Sequence, residues 1–301
     1  MNFSVVKLRY VWYTLSAAMI LTSLVALGSW GLKQGIEFTG GTLMALRFAG
    51  ERPSVVQVQE SLSKTEADLG SVIVQPAGDT DVQIRMKPVS EEQHQNILTA
   101  FKAQFGDVTE LRYDAIGPTV GDELRSKSIR GLIIVLIAIL LYIAYVFRKV
   151  SAPVESWKYG IVTVLAAFHD VIVPVGVFAF LGHYAGVEIG TSFIAAILTI
   201  LGYSITDTIV VMDRTRENLQ KMSASFADIV DASVRQTFLR SFNTSFTTLL
   251  ALVAIYFFGG SSLHEFTLTL IIGISVGTYS SIFIASPLLV TLERLKRRTR
   301  T

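Results

Sequence analysis

The sequence predicts an α-helical membrane protein with six transmembrane helices and one extracytoplasmic α/β domain between the first helix and the second. Three observations support this fold class. Of the 301 residues, 51% are hydrophobic and only 17% are charged, which is an apolar composition for a soluble protein. Six apolar runs approach the roughly 20 residues needed to cross a bilayer. A long, more polar stretch separates the first two runs.

Each apolar run predicts one membrane-spanning helix, because about 18 or more apolar residues with few charges match the thickness of the hydrocarbon core. The first run is longer than the roughly 7–15 residues of a signal-peptide apolar region, so we expect a retained anchor and not a cleaved leader. The runs cover residues 10–32, 131–147, 159–181, 189–212, 241–263 and 266–292.

The distribution of lysine and arginine predicts the orientation of the chain. Basic residues gather in loops that all fall on one side of a six-helix arrangement, whereas the loops at residues 183–188 and 261–265 contain none. Cytoplasmic loops carry the excess of basic residues, so we expect both termini in the cytoplasm and residues 33–127 outside. The basic residues are Lys7 and Arg9; Arg148, Lys149 and Lys158; Arg214, Arg216, Lys221, Arg235 and Arg240; and Arg294, Lys296, Arg297, Arg298 and Arg300.

The chain therefore divides into residues 1–32 (the N-terminus and first helix), 33–127 (the extracytoplasmic domain) and 128–301 (the remaining helices and a basic tail). In the domain, alternating apolar residues predict strands at 42–48, 71–75, 82–86 and 108–116. Helices are predicted from Pro53-Ser54 to Leu69 and from Ser90 to Phe105, because serine is a favoured N-cap. The order β-α-β-β-α-β is that of the split βαβ, or ferredoxin-like, arrangement.

Several kinds of chemistry are excluded by composition. The sequence has no cysteine, and its four histidines are scattered without the spacing of a zinc motif. The extracytoplasmic domain contains no nucleophile–base pair and no phosphate-binding loop. We therefore expect no enzymatic activity, no cofactor, no metal and no nucleic-acid binding, and we interpret the domain as a surface that binds or moves.

Asp207 is the most informative single residue, because it lies inside the fourth apolar run. An ionised side chain near the centre of a transmembrane helix costs about 2.5–3.5 kcal/mol on insertion scales. Asp213 marks the end of the run, which places Asp207 roughly 9 Å deep at about 1.5 Å per residue. A carboxyl group removed from water can bind and release a proton, so Asp207 is a candidate proton carrier. The alternative is a static ion pair or a buried, capped acid.

A polar or small stripe accompanies Asp207 at helical spacing. We expect it to face a protein interior or a water path, away from lipid, and so to form a supporting polar face. Its residues are Ser192, Ala196, Thr199, Tyr203 and Thr206.

Arg240, at the start of the fifth apolar run, is the candidate counter-charge for Asp207. The polar residues Asn243, Thr244, Thr247 and Thr248 follow it at helical spacing. Arg240 could instead be an ordinary positively charged anchor at the membrane interface.

His169 and Asp170 interrupt the third apolar run, and Pro174, four residues after Asp170, should loosen that helix locally. The two residues could extend a proton path from Asp207, or they could form a structural hydrogen-bonded cluster; the sequence leaves both interpretations open. In the last run, Gly273 and Gly277 form a GxxxG pattern continued by Ser281, for which we favour close helix packing.

Three motifs occur in a characteristic order along the chain. The first, at residues 35–42, contains Gly35, Glu37, Phe38, Gly40 and Gly41; the second, at residues 117–124, contains Gly117, Pro118, Gly121 and Glu123; the third, LGYSITDTIVVMDRTREN, covers residues 201–218. Together they resemble the SecD/SecF family of protein-export membrane proteins, within the resistance-nodulation-division superfamily, and the third motif is similar to SecF members in particular. The family usually has aspartate where Glu37 stands.

The resemblance implies a function and a set of partners. Such chains form half of a twelve-helix unit whose other half is SecD, in the bacterial cytoplasmic membrane. The pair assists the SecYEG channel in protein translocation, drawing on the proton-motive force, with YajC as an accessory partner. The expected contacts are therefore a SecD-like subunit, SecYEG, a YajC-like protein, the translocating preprotein and membrane lipid. A half-size exporter of small molecules or lipids and a passive assembly subunit are the alternatives.

Overall fold

The computed structural model describes residues 4–65, 68–146, 155–260 and 263–298. The chain forms two compact units, one of Met1–Lys33 with Arg130–Thr301 and one of Gln34–Ile129. We refer to them as the membrane unit and the outer domain. Arg148, Lys149 and Arg300, on which part of the orientation prediction depends, lie outside the described residues, as does Phe147, the predicted end of the second span.

The elements follow one another in an order close to the predicted one. They are α1 (Arg9–Trp30), α2 (Ile36–Thr39), β1 (Gly41–Phe48), α3 (Val55–Ser63), β2 (Ile73–Ala77), β3 (Asp81–Met86), α4 (Glu91–Phe105), β4 (Val108–Ile116), α5 (Pro118–Val146), α6 (Ser156–Ala185), α7 (Thr191–Lys221), α8 (Phe226–Phe258), α9 (His264–Ser280), a π-helical turn (Ser281–Ala285) and α10 (Ser286–Arg298).

The outer domain has the predicted β-α-β-β-α-β order. Its four strands form an antiparallel sheet in the order β2-β3-β1-β4. Alternate side chains of these strands point to one face, where they meet apolar residues of α3 and α4. This core contains Met44, Leu46, Phe48, Ile84 and Phe101.

Both helices of the outer domain, α3 and α4, begin directly after the serine that was predicted to cap them. Ser54 and Ser90 each accept a hydrogen bond from the backbone of the glutamine three residues later, whose side chain bonds back to the serine N–H, giving two capping boxes. The prediction that the first of these helices reaches Leu69 was wrong, because α3 ends at Ser63. Leu69 instead accepts a hydrogen bond from the Lys87 backbone, and Gly70 turns the chain with φ of 63°.

Six helical segments are long and apolar enough to cross a membrane, as predicted: α1, α5, α6, α7, α8 and the continuous segment from α9 through α10. Several extend beyond their apolar runs. The second begins at Pro118, because proline is well suited to the first helical position, so most of the motif at residues 117–124 lies in its first turns. α6 continues through Pro174. The π-helical turn was not predicted.

The membrane helices differ in how much of their surface is buried. In the most apolar stretches of α6, α7 and the last span, 50%, 50% and 56% of the residues are buried, against 17%, 6% and 17% for α1, α5 and α8. Glycines bring some helices close together. A Cβ atom on Gly273 would lie 2.0 Å from Ile200 Cδ1, and one on Gly176 would lie 2.2 Å from Ser23 Cβ. α6, α7 and α9 thus form the centre of the unit.

Candidate functional site: a buried carboxylate beside an outward polar face

Asp207 lies on α7 and is 8% exposed. Its Oδ1 accepts a hydrogen bond of 3.0 Å from the Ser241 hydroxyl on α8. Its Oδ2 is buried and has no hydrogen-bond partner among the described residues. An ionised carboxylate has about four sites that can accept a hydrogen bond. This buried group receives one hydrogen bond, from a neutral hydroxyl, so most of its acceptor sites are unused among the described residues.

Arg240 does not pair directly with Asp207. It is exposed, and no ion pair within 4.0 Å joins it to any carboxylate of the described residues. The reason is geometric: consecutive helical residues point about 100° apart, and Ser241 is the residue that faces Asp207. The predicted role of Arg240 as counter-charge for Asp207 therefore involves no direct ion pair among the described residues, and it stays a prediction.

The predicted polar face lies on the outside of this chain. Thr199, Thr206, Asn243 and Thr247 are all exposed. The threonine hydroxyls are satisfied by their own helices, with Thr199 donating to Ala195 O at 2.8 Å and Thr206 to Gly202 O at 2.9 Å. Ala196, from the same predicted stripe, is buried, so the stripe lies partly inside this chain and partly on an outward surface beside Asp207. That this surface faces a protein interior or a water path, away from lipid, stays a prediction.

Tyr203 lies at the inner edge of this face and is partly buried. Its hydroxyl donates to Ser245 Oγ at 3.3 Å, and Ser245 Oγ lies 2.6 Å from Thr278 Oγ1. Tyr203 therefore connects α7 to α8 and α9.

His169 and Asp170 lie on a different side of α7 from Asp207. Asp170 is 0% exposed and its Oδ1 lies 2.9 Å from His169 Nδ1. Its Oδ2 accepts hydrogen bonds from the hydroxyls of Ser204 on α7 and, at 2.7 Å, Ser280 on α9. No hydrogen bond among the described residues joins this cluster to Asp207.

Sequence reasoning missed the serines that contact the two acids. Ser204, Ser241 and Ser280 are buried hydroxyls in otherwise apolar helices. Each of these serines lies 34 or more residues along the chain from the acid that it contacts, so no local spacing pairs them. The four-residue spacing of Ser241 and Ser245 indicates only that they share one face of α8.

The glycines of the first two motifs meet inside the outer domain. A Cβ on Gly40 would lie 2.8 Å from Pro118 Cα, and one on Gly121 would lie 2.8 Å from Gly40 N. Gly40 also has a φ of 72°, which suits glycine. The start of α5 is therefore packed directly against the short helix α2.

The remaining motif residues surround this contact. Phe38 is 5% exposed, and Gly35 accepts the first hydrogen bonds of α2. Glu37 Oε1 lies 3.9 Å from Arg112 Nη2, and Glu123 lies 2.7 Å from Lys127 Nζ. Gly41 opens β1 with φ of 138°, and Gly117 precedes α5.

The last span carries the predicted glycine pair on the face toward α7. Gly273 abuts Ile200, and a Cβ on Gly277 would lie 2.9 Å from Ser204 Cβ. Close helix packing at GxxxG is thus the arrangement found on this face.

Comparison with known families identifies the chain's relatives. The family described as protein export membrane protein SecD/SecF, C-terminal, matches residues 96–295. The chain belongs to this family. It is 41% identical to the protein translocase subunit SecF of Thermobaculum terrenum, over 98% of this chain and 97% of that protein. It is 39% identical to the corresponding subunit of Vibrio alginolyticus, over 93% and 86%.

Solved structures agree with the family assignment. The crystal structure of SecDF, a translocon-associated membrane protein from Thermus thermophilus, matches 98% of this chain with a TM-score of 0.84 and 31% identity. A structure of SecDF in a super-membrane-facing form matches with a TM-score of 0.67 and 32% identity. The chain spans 39% and 40% of those SecDF chains. The predicted family and fold class are confirmed.

Proposed function

We propose that this chain is a SecF-type subunit that assists Sec-dependent protein translocation across the bacterial cytoplasmic membrane. Its membership of the SecD/SecF family and its match to nearly the full length of translocase subunits named SecF support this role. The half-size exporter is not favoured, because the related chains named SecF are themselves of this length. The chain has no enzymatic part in this function.

We further propose that Asp207 couples translocation to the proton-motive force. The observation that supports this most directly is a buried carboxyl group that has one hydroxyl donor and one oxygen without a hydrogen bond among the described residues. A buried carboxyl group with few hydrogen-bond donors can bind or release a proton when its surroundings change. A charge that crosses 100 mV is worth about 2.3 kcal/mol, enough to bias a conformational equilibrium roughly fifty-fold.

The outward polar face indicates a partner. Thr206 and Asn243 are exposed close to Asp207 and Ser241 along their helices, and Thr199 is exposed about two turns further along α7; lipid would be a poor neighbour for these polar side chains. A SecD-like subunit fits this surface, since the chain matches about two fifths of SecDF. SecYEG, a YajC-like protein and the preprotein are further partners of the proposed complex. Both termini lie in the cytoplasm and the outer domain lies outside in this proposal, which rests on the lysine and arginine distribution.

The test is Asp207→Asn, which keeps the size of the side chain but removes its ability to release a proton. We expect normal membrane insertion and complex recovery, with loss of gradient-dependent stimulation of export in inverted vesicles. The matched control is Asp213→Asn on the same helix, where the exposed acid pairs with Arg216 at 2.7 Å; export should be unchanged.

The results separate a proton carrier from a passive assembly subunit. Full gradient-driven export by Asp207→Asn would rule out proton coupling through this residue. Poor complex recovery without a specific loss of gradient dependence would instead indicate that Asp207 serves assembly.

A further inference from the structure

Four consecutive residues of the last transmembrane span each contact a different helix. We call Thr278–Tyr279–Ser280–Ser281 the polar belt. Thr278 Oγ1 lies 2.6 Å from Ser245 Oγ on α8, and the Tyr279 hydroxyl lies 3.1 Å from Ser16 Oγ on α1. Ser280 donates a hydrogen bond to Asp170 on α6, and Ser281 Oγ lies beside Thr208 Oγ1 on α7. Four successive helical residues cover about 300° of the circumference, so the belt is surrounded on nearly all sides.

The belt ends where the helix widens into the π-helical turn Ser281–Ala285. Ser281 Oγ lies 2.9 Å from Thr208 Oγ1 and 3.2 Å from the carbonyl oxygen of Ser204, both on α7. Ser286 Oγ donates to the Ser281 carbonyl at 3.1 Å, which spans the five residues of the turn. Such turns are rare inside helices and are frequent at functional sites.

Asp170 is the acceptor that joins the belt to two other helices. Ser280 donates to it from α9 and Ser204 donates to it from α7, while His169 contacts it from α6 itself. All three partner residues are buried. Loss of the acceptor would leave several buried donors unpaired, which costs about 1–3 kcal/mol for each group. The cluster therefore favours a single relative placement of α6, α7 and α9.

The placement of α7 decides the surroundings of Asp207. Ser204 and Thr208 are one turn apart on α7 and contact Asp170 of α6 and Ser281 of the π-helical turn, whereas Asp207 is offset toward Ser241 on α8. The Cα atoms of a helix lie about 2.3 Å from its axis, so a rotation of roughly 20° moves a Cα by about 0.8 Å and a side chain further. A hydrogen bond of 3.0 Å does not survive a displacement of that size.

We propose that Asp170, anchored by Ser280 of α9, fixes the rotation of α7 through its hydrogen bond from Ser204 and so holds Asp207 against Ser241. Asp170 is then a positioning residue for the proton-binding site proposed at Asp207 and not a second proton carrier. A relay through this cluster would need a further group to receive the proton. His169 Nε2 is buried and has no hydrogen-bond partner among the described residues, so the cluster ends there.

The test reads the hydrogen bond of Asp207 directly. Infrared difference spectra between low and high pH are recorded on the full-length protein in lipid, and the carboxyl band that vanishes in Asp207→Asn is assigned to Asp207. Ser241→Ala gives the position of that band without its hydrogen bond. We expect Ser204→Ala, which removes the α7 donor, Ser280→Ala, which removes the α9 anchor, and Asp170→Leu, which removes the acceptor, to shift the Asp207 band to the Ser241→Ala position.

Two controls make the result specific. In the double variant Ser280→Ala with Ser241→Ala, the band should move no further than in Ser241→Ala alone, because both substitutions remove the same contact. Ser275→Ala removes an exposed hydroxyl of α9 that bonds only to Ile271 O of its own helix, at 2.7 Å, and should leave the band unchanged. General destabilisation would not reproduce this pattern.

Two results would overturn the proposal. One is an Asp207 band that keeps its position in Ser204→Ala, Ser280→Ala and Asp170→Leu. The other is a separate titrating band that disappears in Asp170→Asn, which would make Asp170 a proton carrier. Should Asp170→Leu fail to fold, Ser204→Ala and Ser280→Ala decide the positioning. The spectra report geometry without transport, so they stand apart from the export test of Asp207.

Discussion

The outer domain and the membrane unit are held together by different kinds of buried side chain. The outer core consists of residues such as Leu46, Ile84 and Phe101, which are removed from water. The centre of the membrane unit also buries Asp170, Ser204 and a series of other hydroxyls. Lipid tails are as apolar as leucine, so burial of apolar surface does little to hold helices together in a bilayer. Close packing and hydrogen bonds between helices take over that role.

The outer domain and the membrane unit also differ in how much of their apolar surface is buried within this chain. The outer domain closes its sheet around a core of its own, whereas only 17% of the most apolar stretch of α8 and 6% of that of α5 are buried. The polar face beside Asp207 is among the uncovered surfaces. The outer domain thus has a core of its own, and in the membrane unit the polar face beside Asp207 is the surface for which a partner is proposed.

The largest effect is expected where helix packing is closest. Gly273→Val would place a Cβ 2.0 Å from Ile200 Cδ1, and Ile200 is 0% exposed and has no room to move. Overpacking a core costs about 1–3 kcal/mol or more, so we expect a large loss of folded protein in a detergent unfolding titration. Ile200→Ala in the same chain should restore much of the loss.

Gly202→Ala is the matched control, because nothing lies within 4 Å of a Cβ at that position of α7. It should be neutral or slightly stabilising, since alanine is the better helix former. Equal damage from the two substitutions would mean that close packing does not hold the membrane unit together.

The second prediction concerns the uncovered polar face. The sequence has no cysteine, so a single cysteine introduced at Thr199 or Tyr203 is the only thiol of the chain. We expect both positions to crosslink efficiently to a SecD-like chain in native membranes. Leu165→Cys, 48% exposed on α6, is the control and should give little product. Efficient crosslinks only to a second copy of this chain would contradict the proposed partner.

Prediction from sequence succeeded where local signals decide the structure. The limits of α4 and β4 agree with those expected, because Ser90 caps the helix and residues 111–115 alternate between apolar and polar side chains. The extra turn α2 and the early end of α3 were missed, since both depend on long-range contacts, those of Gly40 with Pro118 and of Leu69 with Lys87.

The candidate site was only partly predictable for the same reason. A charge inside an apolar helix identifies Asp207 and Asp170 without further knowledge. The partners of these acids depend on how helices are rotated against one another, which a single sequence does not encode locally. Ser241, and not Arg240, contacts Asp207. The π-helical turn next to Ser280, which begins at Ser281, cannot be recognised in the hydropathy pattern of the last apolar run.

The smallest effect is expected from the surface charges of the outer domain. Arg47 and Asp81 face each other across β1 and β3, joined by two hydrogen bonds of 2.8 Å. The hydrogen bonds from the Arg47 guanidinium hold the pKa of the Asp81 carboxyl below its usual value. A lowered pKa means that the pair stabilises the fold above the unfolded pKa, about 3.9, and that this stability is lost as the pH falls through the folded value.

Asp81→Asn should therefore reduce the stability of the outer domain at pH 6, and the reduction should shrink as the pH falls below about 3.9 and through the lower folded pKa of Asp81. The pair is partly exposed, so solvent screening limits the effect to at most about 1 kcal/mol. Hydrogen exchange of the β1 and β3 amides in the full chain, corrected for intrinsic rates at each pH, measures it. Asp79→Asn, in the adjoining turn, serves as the control because Asp79 forms no ion pair in the described part of the chain. A loss of several kcal/mol at pH 6 would show that a surface ion pair, and not the apolar core, holds this domain together.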